Sequence, residues 1–187
     1  MHQGHLALAR EAVSELNLDK IYFVPSFQNP LKKKEALLPD ALRIKLLRAS
    51  IRENPDFAVS LCEIHRKGPS FTIDTLKSFR KKCGRNTALY FLSGADVLKN
   101  IKRWKSVDQI FKLCRFVVMT RPGYLLKPAY RTGRKTPAQF LSLPFSALPV
   151  SSSEVRRRLR RGQEVSGLVP RATEPLLKKY FIKHKGV

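Results

Sequence analysis

The stretch MHQGHLALAREAVSELNLDKIYFVPS, residues 1–26, joins a helix to a buried strand. Apolar side chains recur at helical spacing from Leu6 to Leu16, which predicts an amphipathic helix over residues 4–16. The next apolar run, residues 20–24, is short and closed by a proline, as expected of a buried strand. This order of elements indicates an α/β fold.

The same alternation continues along the chain. Strand-like apolar runs cover residues 57–62, 88–92, 115–119 and 145–148, and helical spacing covers residues 42–51, 73–79, 151–161 and 175–181. Ser70 or Thr72 is available to cap the helix at 73–79, and Ser106 to cap a shorter helical turn. The basic, proline-containing segment 124–139 predicts a long surface loop. We therefore expect one α/β domain over residues 1–187, a single doubly wound, Rossmann-like parallel sheet with helices on both faces.

Composition excludes several classes of protein. No apolar run reaches the roughly 18 residues of a membrane span, so we expect no membrane partner. The first residues lack the pattern of a signal peptide. Cys62, Cys83 and Cys114 are odd in number and widely spaced, so neither a disulfide framework nor a zinc site follows from them. A reducing cytoplasm is the expected location.

The charge of the chain is unusually positive. Lys and Arg total 37 against 14 Asp and Glu, giving +23 at pH 7. Such a surface attracts polyanions, nucleic acid among them. A solvated basic surface is the interpretation we favour, with nucleic-acid binding that is at most weak and non-specific.

The first candidate site is His2-Gln3-Gly4-His5. Two imidazoles three residues apart at a helix start lie on one side of its first turn, where free N–H groups and the helix dipole favour an anion. Gly4 would allow a phosphate to approach the backbone. A fortuitous pair of exposed histidines or a metal-binding pair remains an alternative for this motif taken alone.

The second candidate site is the segment 150–156, VSSSEVR. Serines at a helix start can cap the helix and can also donate to phosphate oxygens, and Arg156 one turn later is a forked, permanently charged donor. An ordinary serine cap followed by a solvated basic helix is the alternative. It does not explain a similar anion-binding pattern at residues 2–5.

Together these motifs resemble the nucleotidyltransferases with H-x-G-H and I-S-S-T-x-[IV]-R signatures, and specifically the bacterial nicotinate-nucleotide adenylyltransferases. The resemblance covers almost the whole chain, in family order. Further matches are Pro25-Ser26 with Asn29-Pro30-Leu31-Lys32, Lys67 to Leu76 (KGPSFTIDTL), Gly94-Ala95-Asp96 followed by Trp104, Arg121-Pro122-Gly123, and Leu168-Val169-Pro170.

The resemblance implies a role for each matching residue. His5 and His2 are the implied catalytic residues, His5 at the α-phosphate of ATP and His2 orienting the triphosphate. The implied ATP-binding residues are Gly4, His5, Gly94, Asp96, Ser152, Ser153 and Arg156. The implied pyridine-nucleotide-binding residues are Lys32, Thr72, Thr75, Trp104 and Arg121. Each has a structural alternative, such as a core position for Trp104 or a helix cap for Asp96.

The chain also departs from the family pattern. Members of the family begin with a strand and a G-G-T-F-D-P turn before H-x-G-H, and we expect these residues to precede Met1 in a longer protein. Leu31 stands where the family has histidine, which weakens a phosphate contact there, and Ser153 replaces the usual threonine but keeps the hydroxyl.

The implied reaction is adenylyl transfer from ATP to nicotinate mononucleotide, with deamido-NAD and pyrophosphate as products. Mg²⁺ is expected to arrive on the ATP phosphates, since the sequence shows no carboxylate cage and no protein metal site. Nicotinamide mononucleotide or phosphopantetheine as the acceptor, or a basic nucleic-acid-binding protein on a degenerated scaffold, are the alternatives. The oligomeric state does not follow from the sequence.

Overall fold

The computed structural model describes residues 1–31, 38–120, 140–145 and 150–184. The predicted loop at 124–139 therefore lies outside the described residues. The chain forms two compact units. The first unit consists of residues 1–25, 36–61 and 147–187, and the second of residues 26–35 and 62–146.

The first unit combines a two-stranded parallel sheet with four helices. Its elements are α1 (Gln3–Leu16), β1 (Ile21–Phe23), α2 (Asp40–Ile51), β2 (Phe57–Val59), α6 (Ser152–Arg160) and α7 (Glu174–Lys183). In the sheet, Ile21 of β1 lies opposite Phe57 of β2. One apolar cluster joins α2, α6 and α7 through Leu46, Val155 and Phe181.

Local sequence explains where these helices begin and end. α1 ends at Asn17, whose left-handed backbone (φ 47°) suits asparagine. Gly162, with φ 68°, follows α6 in a conformation that favours glycine. Pro175 lies in the first turn of α7, where its missing N–H has no intrahelical partner to lose. The predicted helices at 4–16, 151–161 and 175–181 are confirmed.

The second unit is built on a three-stranded parallel sheet in the order β3–β4–β5. Its elements are α3 (Cys62–Arg66), α4 (Thr72–Cys83), β3 (Tyr90–Gly94), two 3-10 turns (Ala95–Lys99 and Ile101–Arg103), α5 (Val107–Leu113), β4 (Arg115–Thr120) and β5 (Phe140–Pro144). The central strand β4 is buried from Phe116 to Thr120. Its Phe116 and Val118 pack with Ile73 of α4 and Ile110 of α5.

The α/β class and the parallel strands are confirmed, while the division of the strands differs from the expectation of a single sheet. Ladder hydrogen bonds join β1 to β2, and β3 through β4 to β5, so the described strands form two sheets. Sequence periodicity identifies strands, but it carries no information on which strand each one pairs with.

One described strand has no counterpart in the sequence prediction, and another is shorter than predicted. After β4 the described strand is β5, Phe140–Pro144, while most of the strand expected at 145–148 lies outside the described residues. A proline is tolerated at the edge of a sheet, as Pro144 is here. It lies at the end of β5, beside only β4 in the described sheet. The expected strand at 57–62 ends at Val59, because Cys62 begins α3, a helix too short to show a period.

The predicted serine and threonine caps are also wrong for two helices. Phe71 takes the N-cap position of α4, and Thr72 is the first residue of the helix. Ser70 instead accepts hydrogen bonds from the N–H groups of Phe27 (2.9 Å) and Gln28 (3.3 Å). Ser106 does precede α5, but in a left-handed conformation (φ 53°) without a side-chain cap. A serine or threonine hydroxyl can bond to several nearby backbone groups, and its position in the sequence does not decide which of them it binds.

Arg80 at the end of α4 holds the turn that leads to β3. Its guanidinium donates to the carbonyl oxygens of Gly84 (3.0 Å), Arg85 (3.2 Å), Thr87 (2.6 Å) and Leu113 (2.9 Å). A single guanidinium group thereby connects the end of α4 to the end of α5. No sequence motif pointed to this residue.

We expect Arg80→Met to lower the free energy of unfolding by about 2 kcal/mol, because several charge-assisted hydrogen bonds are lost where water can replace only part of them. The melting temperature should fall by roughly 4–8 °C. Chemical denaturation checks this, with Lys81→Met as the control, since Lys81 is an exposed cation in the same turn of helix. Equal stability of the two variants would contradict the assignment.

Candidate functional site

His2 and His5 meet at the start of α1. Their ring centroids are 3.8 Å apart, and the N–H of His2 donates to Nδ1 of His5 at 3.4 Å. Because Nδ1 of His5 accepts this bond, the neutral ring carries its proton on Nε2. His5 is exposed, so this Nε2–H can act as a hydrogen-bond donor to a ligand.

Gly4 leaves room for the His2 ring. A Cβ atom at position 4 would lie 3.1 Å from Nδ1 of His2 and 3.3 Å from Cγ1 of Val150. Nδ1 of His2 is buried and has no hydrogen-bond partner within the described part of the chain. An unpaired buried nitrogen is costly, so the packing around the His2 ring must offset that cost.

The start of α1 is held by the segment Leu168-Val169. The N–H of Gln3 donates to the carbonyl oxygen of Leu168 at 2.9 Å, and Nε2 of Gln3 to that of Val169 at 3.4 Å. Val169 is buried in the apolar cluster of the first unit. The matched motif L-V-P thus has a visible role, since it positions the histidine pair.

The start of α6 presents the second motif. Ser151 caps the helix by accepting from the N–H of Glu154 at 3.1 Å. Ser152 and Ser153 are the first helical residues, and Nη2 of Arg156 lies 3.4 Å from Oγ of Ser153. Within the described residues no carboxylate pairs with Arg156.

The neighbouring arginines of α6 are held differently. Glu154 pairs with Arg157 and Arg158, at distances of 2.7 and 2.8 Å. The hydrogen bonds from the two guanidinium groups lower the pKa of the Glu154 carboxyl. The acidic residue nearest the motif is thus occupied, and Arg156 keeps its positive charge for another anion.

The two motifs come together within the first unit. Val150, just before α6, contacts the position of Gly4 in α1. Burial, and second to it the charge of Arg156, lower the pKa of the Met1 amino group, which lies beside the histidines. Two helix N-termini, two imidazoles and a guanidinium therefore gather in one place, which suits a phosphate-bearing ligand.

Both imidazoles are neutral near pH 7. Desolvation, with contributions from His5 and the Met1 amino group, lowers the pKa of His2 from 6.5 to about 4. Desolvation and the same amino group lower that of His5 to about 4. The neutral imidazoles are therefore able to act as hydrogen-bond donors, and Arg156 carries the positive charge of the group.

We expect these histidines to make folding less favourable as the pH falls from 6.5 to about 4. Between these pH values the histidines are protonated in the unfolded chain but stay neutral in the folded chain. The free energy of unfolding therefore decreases as the pH falls. Proton NMR titration of the imidazoles measures the two pKa values directly. The double variant His2→Gln/His5→Gln should lose this part of the pH dependence. Values near 6.5 in the folded protein would contradict the prediction.

In the second unit, Gly94 and Asp96 follow the end of β3. Gly94 is the last residue of the strand and is exposed, and a Cβ there would meet nothing within 4 Å. Asp96 lies in the next 3-10 turn and pairs with Lys99 at 3.0 Å, with both side chains largely exposed. A surface pair of this kind is weak, so the carboxylate can exchange Lys99 for a ligand hydroxyl.

Trp104 is half-buried. Its ring meets that of Phe91 edge-on, with centroids 5.6 Å apart and an angle of 89°, and lies 6.2 Å from that of Phe116. The indole therefore packs against the core of the second unit and remains partly accessible. This placement permits both the core role and the ring-stacking role considered from the sequence.

Thr72 begins α4, beside a group that the motifs did not single out. Nζ of Lys105 lies 4.5 Å from the centroid of the Phe71 ring and 3.7 Å from Oδ2 of Asp74. Phe71 has no side-chain oxygen to cap the helix. The start of α4 thus combines uncapped N–H groups with a nearby cation, which suits a carboxylate. Lys105 directly follows Trp104, but in so basic a chain a single lysine carried no information.

Thr75 is buried, and its hydroxyl contacts other protein groups. Oγ1 donates to Oε1 of Glu63 at 2.5 Å and accepts from Nη2 of Arg66 at 3.2 Å. Glu63 and Arg66 were missed in the sequence, because α3 is too short to be predicted. Lys32 and Arg121, also expected to bind the pyridine nucleotide, lie outside the described residues.

No group of three or more metal-binding side chains occurs in residues 1–31, 38–120, 140–145 and 150–184. The same part of the chain contains no helix with the length and apolar composition needed to cross a membrane. The three cysteines are free thiols.

Comparison with known proteins gives a consistent result. A family model described as cytidylyltransferase-like matches residues 1–158. A probable nicotinate-nucleotide adenylyltransferase of Clostridium tetani is 35% identical over 96% of this chain and 92% of its own length. One of Thermoanaerobacter is 36% identical over 99% of this chain and 90% of its own length.

Solved structures share the fold. The nicotinic acid mononucleotide adenylyltransferase of Plasmodium falciparum, solved in complex with NaAD, superposes with a TM-score of 0.71 at 18% identity. The match covers 100% of this chain and 91% of that one. At this level of identity the similarity shows a common Rossmann-like architecture.

Proposed function

This chain belongs to the cytidylyltransferase-like family and, within it, to the nicotinate-nucleotide adenylyltransferases, and we propose that it transfers the adenylyl group of ATP to nicotinate mononucleotide. The observation that carries the proposal is the meeting of His2-Gln3-Gly4-His5 with the serine-rich start of α6 in the first unit. The family match runs through residues of both units. It supports a single nucleotidyltransferase domain over residues 1–187.

In the proposed reaction an oxygen of the 5′-phosphate of nicotinate mononucleotide attacks the α-phosphorus of ATP. A new P–O bond forms as the bond to the β-phosphate breaks, and pyrophosphate leaves with the electron pair. Negative charge builds on the α-phosphate oxygens during this step. Such transfers depend on positioning and charge neutralisation more than on covalent catalysis.

We assign the phosphate contacts to the first unit. His5 donates its Nε2–H to the α-phosphate, and His2 orients the triphosphate. Arg156 binds the β- and γ-phosphates, with Ser152 and Ser153 donating from the helix start. Gly4 is required because a larger residue would displace the His2 ring.

Mg²⁺ enters this proposal as part of the ATP substrate. The residues gathered at the start of α1 and α6 are imidazoles, hydroxyls and a guanidinium, which are donors to phosphate and poor ligands for a hard cation. Mg²⁺ is therefore carried by the phosphate oxygens, whose charge it lowers. Free cysteines are consistent with a reducing cytoplasm as the place of the reaction.

We assign the other contacts from the family motifs, which match Gly94 and Asp96 to the ribose of ATP. We assign contacts with the pyridine nucleotide to Thr72 and Trp104, and to Lys32 and Arg121 from the family motifs. Thr75 also matches a family motif, but its hydroxyl is bonded to Glu63. The uncapped start of α4 with Lys105 nearby supports a substrate that carries a carboxylate on its ring.

We expect the protein to turn over nicotinate mononucleotide faster than nicotinamide mononucleotide. The carboxylate gains from the helix N-terminus and the cation, whereas the neutral amide gains less. Rates of pyrophosphate release with ATP, Mg²⁺ and each acceptor measure this preference, and phosphopantetheine serves as the negative control. Equal rates, or a preference for the amide, would remove the nicotinate assignment. No release with any of the three acceptors would remove the function itself.

A further inference from the structure

The hydroxyl of Thr75 is hydrogen-bonded to other groups of the second unit. It has one proton, which it shares between Oε1 of Glu63 (2.5 Å) and, more distantly, the carbonyl oxygen of Phe71 (3.5 Å). It also accepts from Arg66 at 3.2 Å. Its proton and one of its two acceptor positions are occupied, and the residue is buried, so this hydroxyl is poorly placed to bind a substrate.

The bond to Glu63 is the strongest of the three. Glu63 and Thr75 are each only 8% exposed. A buried carboxylate needs donors to replace water, and a hydroxyl at 2.5 Å is a short, charge-assisted one. Glu63 lies on α3 and Thr75 on α4, so the bond joins the two helices from either side of the loop between them.

That loop, residues 67–71, is tightly constrained. Lys67 and Gly68 both have left-handed backbones, with φ of 57° and 68°. A lysine in this region carries conformational strain, which the surroundings must offset. The far end of the loop is held by Ser70, whose N–H donates to the carbonyl oxygen of Gln28 at 2.8 Å and whose Oγ accepts from Phe27 and Gln28.

The loop delivers the start of α4. Phe71 is its last residue and Thr72 the first of the helix, and Lys105 lies over the Phe71 ring. We therefore propose that Glu63, Arg66 and Thr75 form a positioning group that sets the geometry of loop 67–71, and through it the affinity for the pyridine nucleotide. This inference rests on the proposed function. It assigns Thr75 an indirect role in place of a direct contact with substrate.

Steady-state kinetics of Thr75→Val test the proposal, because valine keeps the shape and removes the hydroxyl. We expect the KM for nicotinate mononucleotide to rise about tenfold, with the KM for ATP and kcat within about twofold of wild type. Thr75→Ser keeps the hydroxyl and should restore the KM. Ser78→Ala removes an exposed hydroxyl from the same helix and is the matched control.

Other outcomes would overturn it. An equal rise in both KM values, or a fall in kcat alone, would show that the group does not act on the pyridine nucleotide. If Thr75→Ser raised the KM for nicotinate mononucleotide as much as Thr75→Val does, the hydroxyl would not be the group that positions the loop. If Thr75→Val fails to fold, Arg66→Met removes one hydrogen bond from an exposed side chain. It should raise the same KM about threefold, and an unchanged KM would overturn the proposal.

Amide hydrogen exchange separates this inference from the proposed function. Thr75→Val should speed exchange in residues 67–72, and Ser78→Ala should not, whichever substrate the protein uses. An inactive wild-type protein with faster exchange in the valine variant would leave the positioning group standing and remove the nicotinate assignment. An active wild-type protein with unchanged KM and exchange in the valine variant would overturn the inference alone.

Discussion

His5→Ala should lower kcat by roughly 10²–10³-fold, the loss expected when a donor aimed at developing charge is removed. His5 is the exposed member of the pair, and its Nδ1 is already bonded to the N–H of His2, so Nε2–H is left to donate to a ligand. The variant should keep most of its thermal stability, because the lost side chain is at the surface of a helix start. Pyrophosphate release and a melting curve on the same sample measure both quantities.

Two further variants sharpen this test. His65→Ala deletes an exposed imidazole from α3 and should leave kcat unchanged. His5→Gln keeps an N–H donor near the same place and should recover part of the activity. If His5→Ala stayed active while its fold collapsed, His5 would be a structural residue, and the assignment of the α-phosphate contact would be wrong.

Arg156→Ala should lower kcat/KM for ATP by about 10- to 100-fold. A charge-assisted hydrogen bond contributes about 1.5–3 kcal/mol, and each 1.4 kcal/mol is a factor of ten. Within the described residues no carboxylate pairs with Arg156, and its charge contributes to the lowered pKa of the Met1 amino group beside the histidines. Arg156→Lys keeps the charge but lacks the forked guanidinium. Its kcat/KM for ATP should lie between that of Arg156→Ala and that of wild type.

Arg160→Ala is the matched control for Arg156. It removes the same side chain and the same charge from an exposed position at the other end of α6. A general loss of positive potential would affect both variants alike and would shrink at high salt. Equal losses of kcat/KM in the two variants would show that Arg156 acts only through long-range attraction of ATP.

Local pattern was sufficient for most helices and for the position of the two anion-binding motifs. Helical spacing of apolar residues depends on which side of a helix is buried, so it located α1, α6 and α7 to within a residue or two. The serine cap of α6 was predicted correctly, because the N–H that Ser151 binds is only three residues away. Motif order along the chain was enough to indicate the family.

Contacts between distant parts of the chain were decided by tertiary structure alone. Pro144 is compatible with the end of a strand only because β5 lies at the edge of its described sheet. Ser70 does not cap α4, because its hydroxyl accepts hydrogen bonds from Phe27 and Gln28, more than 40 positions away. Spacing ranks the possible local partners of a hydroxyl, but folding can offer it a distant one.

The candidate site shows the same division. The sequence by itself determined the α/β class, the family and the chemical types at the site: imidazoles, hydroxyls and a guanidinium at helix starts. Only the tertiary structure brought Val150 against Gly4, lowered the pKa values of His2 and His5, and turned the Thr75 hydroxyl toward Glu63. Residue type sets which bonds a side chain is able to form. Desolvation and the choice of partner depend on which distant residues pack around it, and local spacing does not record that.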